Sequence, residues 1–362
     1  MALRVGIVGL PNAGKSTLLN ALARAGAPVA AYPFTTIDPN RGMVAVPDER
    51  LGAIASVTHP QRVVPAAVEF VDIAGLVRGA HRGEGLGNQF LAHIREVDAL
   101  VHVVRVFEAA DVPHVEGALD PLRDAEIVET ELALADLSTV ERVREKVAPR
   151  ARSGARGAQQ ELALTDRLRE ALQRGIPVRR LHLHPVEAEQ VSRWHLLTCR
   201  PVIYVANISE GVAPQDPRVQ GLVRHAEAQD AAIVVVDARL ESELADLLPE
   251  EAAEFRAVTG EEAALPRLVR AAYTLLGYVT FFSVVSAEVR AWPVVRGTTA
   301  VEAAGRIHTD MAQGFIRAEV IPWQALVAVG GLHQARERGL LRLEGRSYQV
   351  QDGDVITFRF AV

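Results

Sequence analysis

The stretch Gly9-Leu10-Pro11-Asn12-Ala13-Gly14-Lys15-Ser16-Thr17 decides how the rest of the chain is read. It carries G-x-x-x-x-G-K-S directly after the apolar run Val5-Gly6-Ile7-Val8 and before the helical Thr17-Leu18-Leu19-Asn20-Ala21-Leu22. A strand, this loop and then a helix form the context that turns the pattern into a phosphate-binding P-loop. Glycine lets the backbone wrap closely, so the N–H groups of Asn12, Ala13, Gly14, Lys15, Ser16 and Thr17 are expected to cradle phosphates. The start of the following helix adds partial positive charge. Lys15 is expected to reach the β- and γ-phosphates, and the Ser16 hydroxyl to ligate Mg2+.

Working outward, Glu69-Phe70-Val71-Asp72-Ile73-Ala74-Gly75 supplies D-x-x-G at the end of a second apolar run. Asp72 is expected to hold the metal through a water, and the Gly75 N–H to meet and sense the γ-phosphate. Between the two motifs lies YPFTTIDPN (Tyr32–Asn40), where Thr36, with Thr35 as substitute, is expected to complete the metal shell. Ras-like GTPases orient the attacking water with a glutamine immediately after D-x-x-G. Leu76 stands there and cannot bond water, which leaves His81 and His114 as nearby candidates.

A third segment bears on the base. Val205-Ala206-Asn207-Ile208-Ser209-Glu210-Gly211 follows a strand-like run where a GTPase would carry N-K-x-D. That aspartate accepts from guanine N1–H and N2–H2 together, each charged hydrogen bond contributing about 1.5–3 kcal/mol. Glu210 is one methylene longer and cannot take the same position, while Ile208 offers an apolar flank to either purine. The residues therefore point to lost guanine selectivity. Main-chain groups of the loop, with Asn207, could read adenine N6 and N7.

Strands are expected at Arg4–Val8, Met43–Val46, Ala67–Asp72, Ala99–Val106, Pro201–Val205 and Ala232–Val236, alternating with helices as in a mostly parallel sheet. From Leu119 the texture becomes helical, with a polar Ala148–Gln160 patch between two helical runs, which predicts an antiparallel arm with an arginine-bearing tip (Arg150, Arg152, Arg156). After Tyr278, strands, a helix over Thr298–Met311, more strands and an Asp-Gly-Asp turn predict a small α+β module. The expected order is thus a nucleotide domain over 1–118 and 199–277, an insertion over 119–198, and the module over 278–362. Arg306, Arg317, Arg336, Arg338, Arg342 and Arg346 lie in that module with Trp292, Phe315 and Trp323, a mixture that suits either RNA or an aromatic core with a solvated face.

The 362 residues suffice for two or three cores. At 49% hydrophobic and 23% charged, with a net charge of −6, the chain is neither disordered nor basic all over. A single cysteine, Cys199, excludes an internal disulfide, and no apolar run approaches the ~20 residues of a membrane span. The first residues lack a signal-peptide pattern, so a cytoplasmic location is expected. His182, His184, His195 and Cys199 match no zinc spacing. Gly83–Gly87 reads as a switch loop and not as a dinucleotide fingerprint.

Together GLPNAGKST, YPFTTIDPN, the run from Phe70 to Phe107 and the N-I-S-E motif resemble the Obg-related P-loop NTPases, and within them the YchF or Obg-like ATPase subfamily. The resemblance spans Met1 to Val362. It implies a Ras-like α/β nucleotide domain with an inserted helical arm and a C-terminal TGS (ubiquitin-like) domain. It further implies an ATPase that prefers ATP to GTP and associates with the ribosome; Mg2+ as cofactor, rRNA contacts through the arm and C-terminal domain, and a monomeric state are expected alongside. It assigns Asn207 and Glu210 to an altered base motif, Phe107 and Ala238 to the base side, and His114 to catalysis. Two departures stand out: Asp237 where a small residue is usual, and a loose start to the TGS-like region. Two competing readings are a GTPase with relaxed base choice and a nucleotide-dependent scaffold that scarcely turns over.

Overall fold

The computed structural model describes residues 3–25, 40–73, 75, 79, 86–109, 112–259, 263–285 and 287–361. Thr35, Thr36, Leu76 and His81 lie outside the described residues.

In chain order, β1 (Leu3–Val8) leads to α1 (Lys15–Ala25), β2 (Arg41–Ala45), α2 (Glu49–Thr58), β3 (Arg62–Val64), β4 (Ala67–Asp72), α3 (Leu86–Arg95) and β5 (Ala99–Arg105). Next come the helices α4 (Pro121–Arg152), α5 (Ala158–Gln173) and α6 (Pro185–Ser192). The chain then returns to β6 (Val202–Asn207), α7 (Pro217–Ala228), β7 (Ala232–Val236), α8 (Ala238–Leu244), α9 (Pro249–Thr259) and α10 (Ala264–Leu275). The last part holds β8 (Tyr278–Val285), β9 (Glu288–Val295), α11 (Ala300–Ile307), α12 (Thr309–Gln313), β10 (Phe315–Pro322), α13 (Trp323–Val329), α14 (Leu332–Glu337), β11 (Arg342–Glu344) and β12 (Asp354–Phe360).

The first sheet has the order β2-β4-β1-β5-β6-β7, parallel throughout except for β2 against β4. Every residue of β5 and β6 is buried, as expected for central parallel strands covered on both faces. Parallel pairing also brings the C-terminal ends of β1, β4, β5 and β6 to one edge, which is where open α/β sheets bind ligands.

Asp120 starts α4 by accepting from the Arg123 N–H, with Pro121 in the first turn. α4 and α5 pack through a core that includes Val140, Leu164, Leu168 and Leu172. Asp136, 2% exposed, fastens the returning chain: its oxygens accept from Leu197 N, Thr198 N and Thr198 Oγ1 at 2.6–2.8 Å. Burial raises the Asp136 pKa even though these three donors favour its charge.

The second sheet, β11-β10-β12-β8-β9-β3, departs from the sequence reading. β3 is only three residues long and was not among the expected strands, yet it pairs in parallel with β9, so residues 62–64 complete the C-terminal sheet. One apolar core runs from Leu3 and Ile54 to Phe282, Ile321, Leu326 and Val355. Arg50 crosses the same seam, bonding Asp352 at 2.8 Å and lying 5.4 Å from the centre of the Phe282 ring. The expected helix over Thr298–Met311 is two helices, broken at His308. The aromatics of this region are core residues: Phe315 is 7% exposed, and Trp292 stacks on Phe281 and donates to Ser283 Oγ. The arginines stay at the surface, with Arg317, Arg336 and Arg359 gathered around Glu319. No helix among the described residues is long and apolar enough to cross a membrane.

Candidate nucleotide site

The P-loop leaves β1 and turns through Asn12 at φ 64° and Gly14 at φ 93°. Gly14 is required on two counts. Its backbone sits where side chains are disfavoured, and an added Cβ would meet Asn207 Nδ2 at 2.2 Å. Lys15 is 7% exposed and its Nζ donates to the Leu10 carbonyl at 2.9 Å. Burial lowers its pKa, and the charge of Asp72 opposes that shift. Gly75 approaches the loop closely: a Cβ there would come within 3.1 Å of Pro11 N and 3.2 Å of Lys15 Nζ. Ala13 is buried, Ser16 is exposed and Thr17 is half-buried at the first turn of α1.

Ser16 Oγ donates to Asp72 Oδ2 at 2.5 Å. The other carboxylate oxygen, Asp72 Oδ1, is buried with no hydrogen-bond partner among the described residues. A hydroxyl and an anionic oxygen with spare lone pairs are hard oxygen donors, the kind Mg2+ takes directly or through water. The residues present therefore fit a magnesium ion.

On the base side, Asn207 is 3% exposed and acts as a strut. Its Nδ2 donates to Ala13 O at 2.8 Å and its Oδ1 accepts from Ala238 N at 3.1 Å. The side chain that could have read a base thus ties β6 to the P-loop and to the start of α8. Ile208 is half-buried and continues the strand ladder by donating to Val236 O. Glu210 is exposed. Asp237, which departs from the family pattern, caps α8 by accepting from Arg239 N and Leu240 N. Phe107 is half-buried under Arg105, whose guanidinium lies 4.5 Å from the ring centre. Arg105 also bonds the Phe107 and Val112 carbonyls and so shapes the loop between them.

His114 stands beside the P-loop, and Asn12 Nδ2 donates to the neighbouring Pro113 carbonyl at 3.1 Å. A cavity of about 10 Å³ is lined by Leu10, Pro11, Ala13, Arg105, His114 and Asp124, among others. The imidazole turns toward α4: Nε2 lies 2.7 Å from Asp124 Oδ2, and Nδ1 accepts from Glu116 N at 3.1 Å. Sequence reasoning missed Arg105, Asp124 and Glu131, the last of which accepts from Gly79 N at 2.7 Å. Only Arg105 left a trace, as a charge ending a strand that is apolar from Ala99 to Val104 except for His102.

This geometry can be set beside known proteins. Residues 4–138 match a family model described as 50S ribosome-binding GTPase, and residues 278–361 match YchF-GTPase_C, described as a protein of unknown function. The chain is 47% identical over 367 residues to the "Ribosome-binding ATPase YchF" of Bacillus subtilis, covering 100% of both chains. It is 45% identical over 363 residues to the protein of that name from Escherichia coli O157:H7, again covering 100% of both. The solved structure of the Schizosaccharomyces pombe YchF GTPase superposes with a TM-score of 0.90 at 33% identity, over 99% of this chain and 97% of that one. With a nucleotide fold, an altered base motif and full-length likeness pointing the same way, this chain belongs to the YchF family.

Proposed function

We propose that this protein is a magnesium-dependent ATPase that hydrolyses ATP to ADP and phosphate and works as a ribosome-associated switch. The observation that carries the reading is the assembled cluster of Lys15, Ser16, Asp72 and Gly75 beside a base side without the guanine-reading aspartate. A bound magnesium ion would neutralise phosphate charge. Ser16 and Asp72 would hold it, with Thr36 as the third proposed residue.

The chain's own groups do the rest. Lys15 exchanges the Leu10 carbonyl for the β- and γ-phosphates, while the N–H groups from Asn12 to Thr17 bind phosphate oxygens. The Gly75 N–H meets the γ-phosphate. Leu76 has no polar atom to offer, so His114 orients the water. The water oxygen bonds to the γ-phosphorus as the bond to the β-phosphate oxygen breaks, a water proton passes to a phosphate oxygen, and ADP and phosphate leave. Phe107 and Ile208 flank the adenine, whose N6 and N7 are read by main-chain groups near Glu210 and Ala238. Asn207 holds that frame in place through its two bonds.

The names of the relatives, ribosome-binding ATPases, support the choice of substrate and partner. The arginines around Glu319 and the arm tip with Arg150, Arg152 and Arg156 are the surfaces suited to rRNA phosphates. The working form is a cytoplasmic monomer. Parallel equilibrium titrations with ATP and GTP test the base choice, and a clear GTP preference overturns it in favour of a GTPase. Co-sedimentation with ribosomes under ATP, ADP and no nucleotide tests the switch. Nucleotide-independent association overturns the switch, and nucleotide-dependent association without turnover overturns the ATPase in favour of a scaffold.

A further inference from the structure

His114 is held in a way that keeps it from acting on a water. Its ring is 8% exposed by side chain and meets Asp124, itself 5% exposed. Because Nδ1 accepts from the Glu116 N–H, the ring proton of the neutral imidazole must sit on Nε2, and it is donated to Asp124 Oδ2. Both nitrogens are then occupied, and no lone pair is left for a water proton. Arg123 Nη2 donates to the other carboxylate oxygen, Asp124 Oδ1, at 3.1 Å and holds it in position.

The helix that supplies Asp124 also holds Gly79. Glu131 lies seven residues further along α4, two turns on and on the same face, and accepts from Gly79 N at 2.7 Å. Gly79 lies four residues beyond Gly75. One face of α4 therefore holds both His114 and Gly79. The same helix continues to Arg152 as one side of the arm. Over the 28 residues from Asp124 to Arg152 it spans roughly 42 Å at the usual rise per residue.

We propose that Asp124 is a positioning residue that latches His114 to α4 in an unproductive orientation, and that release of this bond makes the imidazole available for hydrolysis. The inference rests on the hydrolase reading of His114 given above. Movement of α4, driven through the arm, is the route by which a bound partner opens the latch.

The test is steady-state ATP hydrolysis by the full-length chain carrying His114→Ala, Asp124→Asn, Asp124→Ala, or His114→Ala with Asp124→Ala. Asp124→Asn keeps the volume and an acceptor oxygen but loses the charge, so its bond to Nε2–H is weaker. The expected result is a kcat raised by about tenfold in Asp124→Ala and by less in Asp124→Asn, with KM for ATP unchanged. A gain of this kind is not what structural damage produces. The double variant should fall to the level of His114→Ala, showing that the gain runs through the histidine. The 15N shifts of the His114 ring should report the Nε2–H tautomer without nucleotide and a changed state in Asp124→Asn. If His114→Ala turns over at the wild-type rate, the hydrolase reading falls and the latch falls with it. If His114→Ala is impaired while both Asp124 variants stay at or below the wild-type rate, the latch alone is overturned.

Discussion

The two ends of the nucleotide site are built differently. At the phosphate end, Lys15 and Ser16 of α1 meet Asp72 at the end of β4 and Gly75 just beyond it, with Lys15 and Ser16 already making short hydrogen bonds. On the expected base side, Asn207 is spent on protein, Glu210 is exposed, and Phe107 lies under the Arg105 guanidinium. Phosphate is the same in every nucleoside triphosphate, so its end can be rigid and backbone-rich. On the reading proposed above, base choice falls to the loops after β5, β6 and β7, where one residue can change selectivity without disturbing the sheet.

The largest expected effect breaks the phosphate end. Lys15→Ala should lower kcat/KM for ATP by about 10²–10³-fold, the scale of losing one preorganised electrostatic donor. Stopped-flow hydrolysis and nucleotide titration would measure it, and a loss below threefold would mean that Lys15 does not reach the phosphates.

At the base end, the paired substitution Ile208→Lys with Glu210→Asp restores N-K-x-D. It should shift the ratio of GTP to ATP affinity toward GTP by about 10–100-fold, one recovered charged hydrogen bond at about 1.5–3 kcal/mol. No shift in parallel fluorescence titrations would show that selectivity lies elsewhere. Asp72→Asn should raise the Mg2+ concentration needed for half-maximal turnover by about tenfold or more, the usual consequence of altering a group that acts on a metal through its ligands. A magnesium titration of ATP hydrolysis reads this directly.

The smallest effect on selectivity is the most informative about the strut. Asn207→Ala strips a partner from Ala13 O and from Ala238 N, both buried, and should cost about 1–3 kcal/mol of stability in urea unfolding. ATP and GTP binding should weaken together, with their ratio unchanged. A changed ratio would make Asn207 a base reader after all.

Sequence reading reached the phosphate end because its residues are local. Gly14, Lys15 and Ser16 are adjacent, and D-x-x-G is recognised by the strand before it. Five parallel strands, β1, β4, β5, β6 and β7, were also legible, since buried parallel strands are runs of apolar residues. The arm helices were visible from their periodicity. β3 was not, because Arg62-Val63-Val64 is too short to show a pattern and its partner lies more than 220 residues away. Asn207 stands out in the sequence as part of the expected base loop, but its employment as a strut needed the positions of Ala13 and Ala238, 194 and 31 residues distant.

The sequence by itself determined that this chain folds around a P-loop, lacks the guanine-reading aspartate, and has Leu76 where a water-orienting glutamine would stand. Those facts are covalent spacings and side-chain types, and no folding can alter them. Only the tertiary structure decided that β3 joins the C-terminal sheet into a shared core, that Asn207 serves the frame, and that His114 rests on Asp124 of the arm helix. Each of these depends on which buried donor finds which acceptor. A polar group that folding removes from water must be paired by whatever the packing brings near, and sequence order does not say what that is.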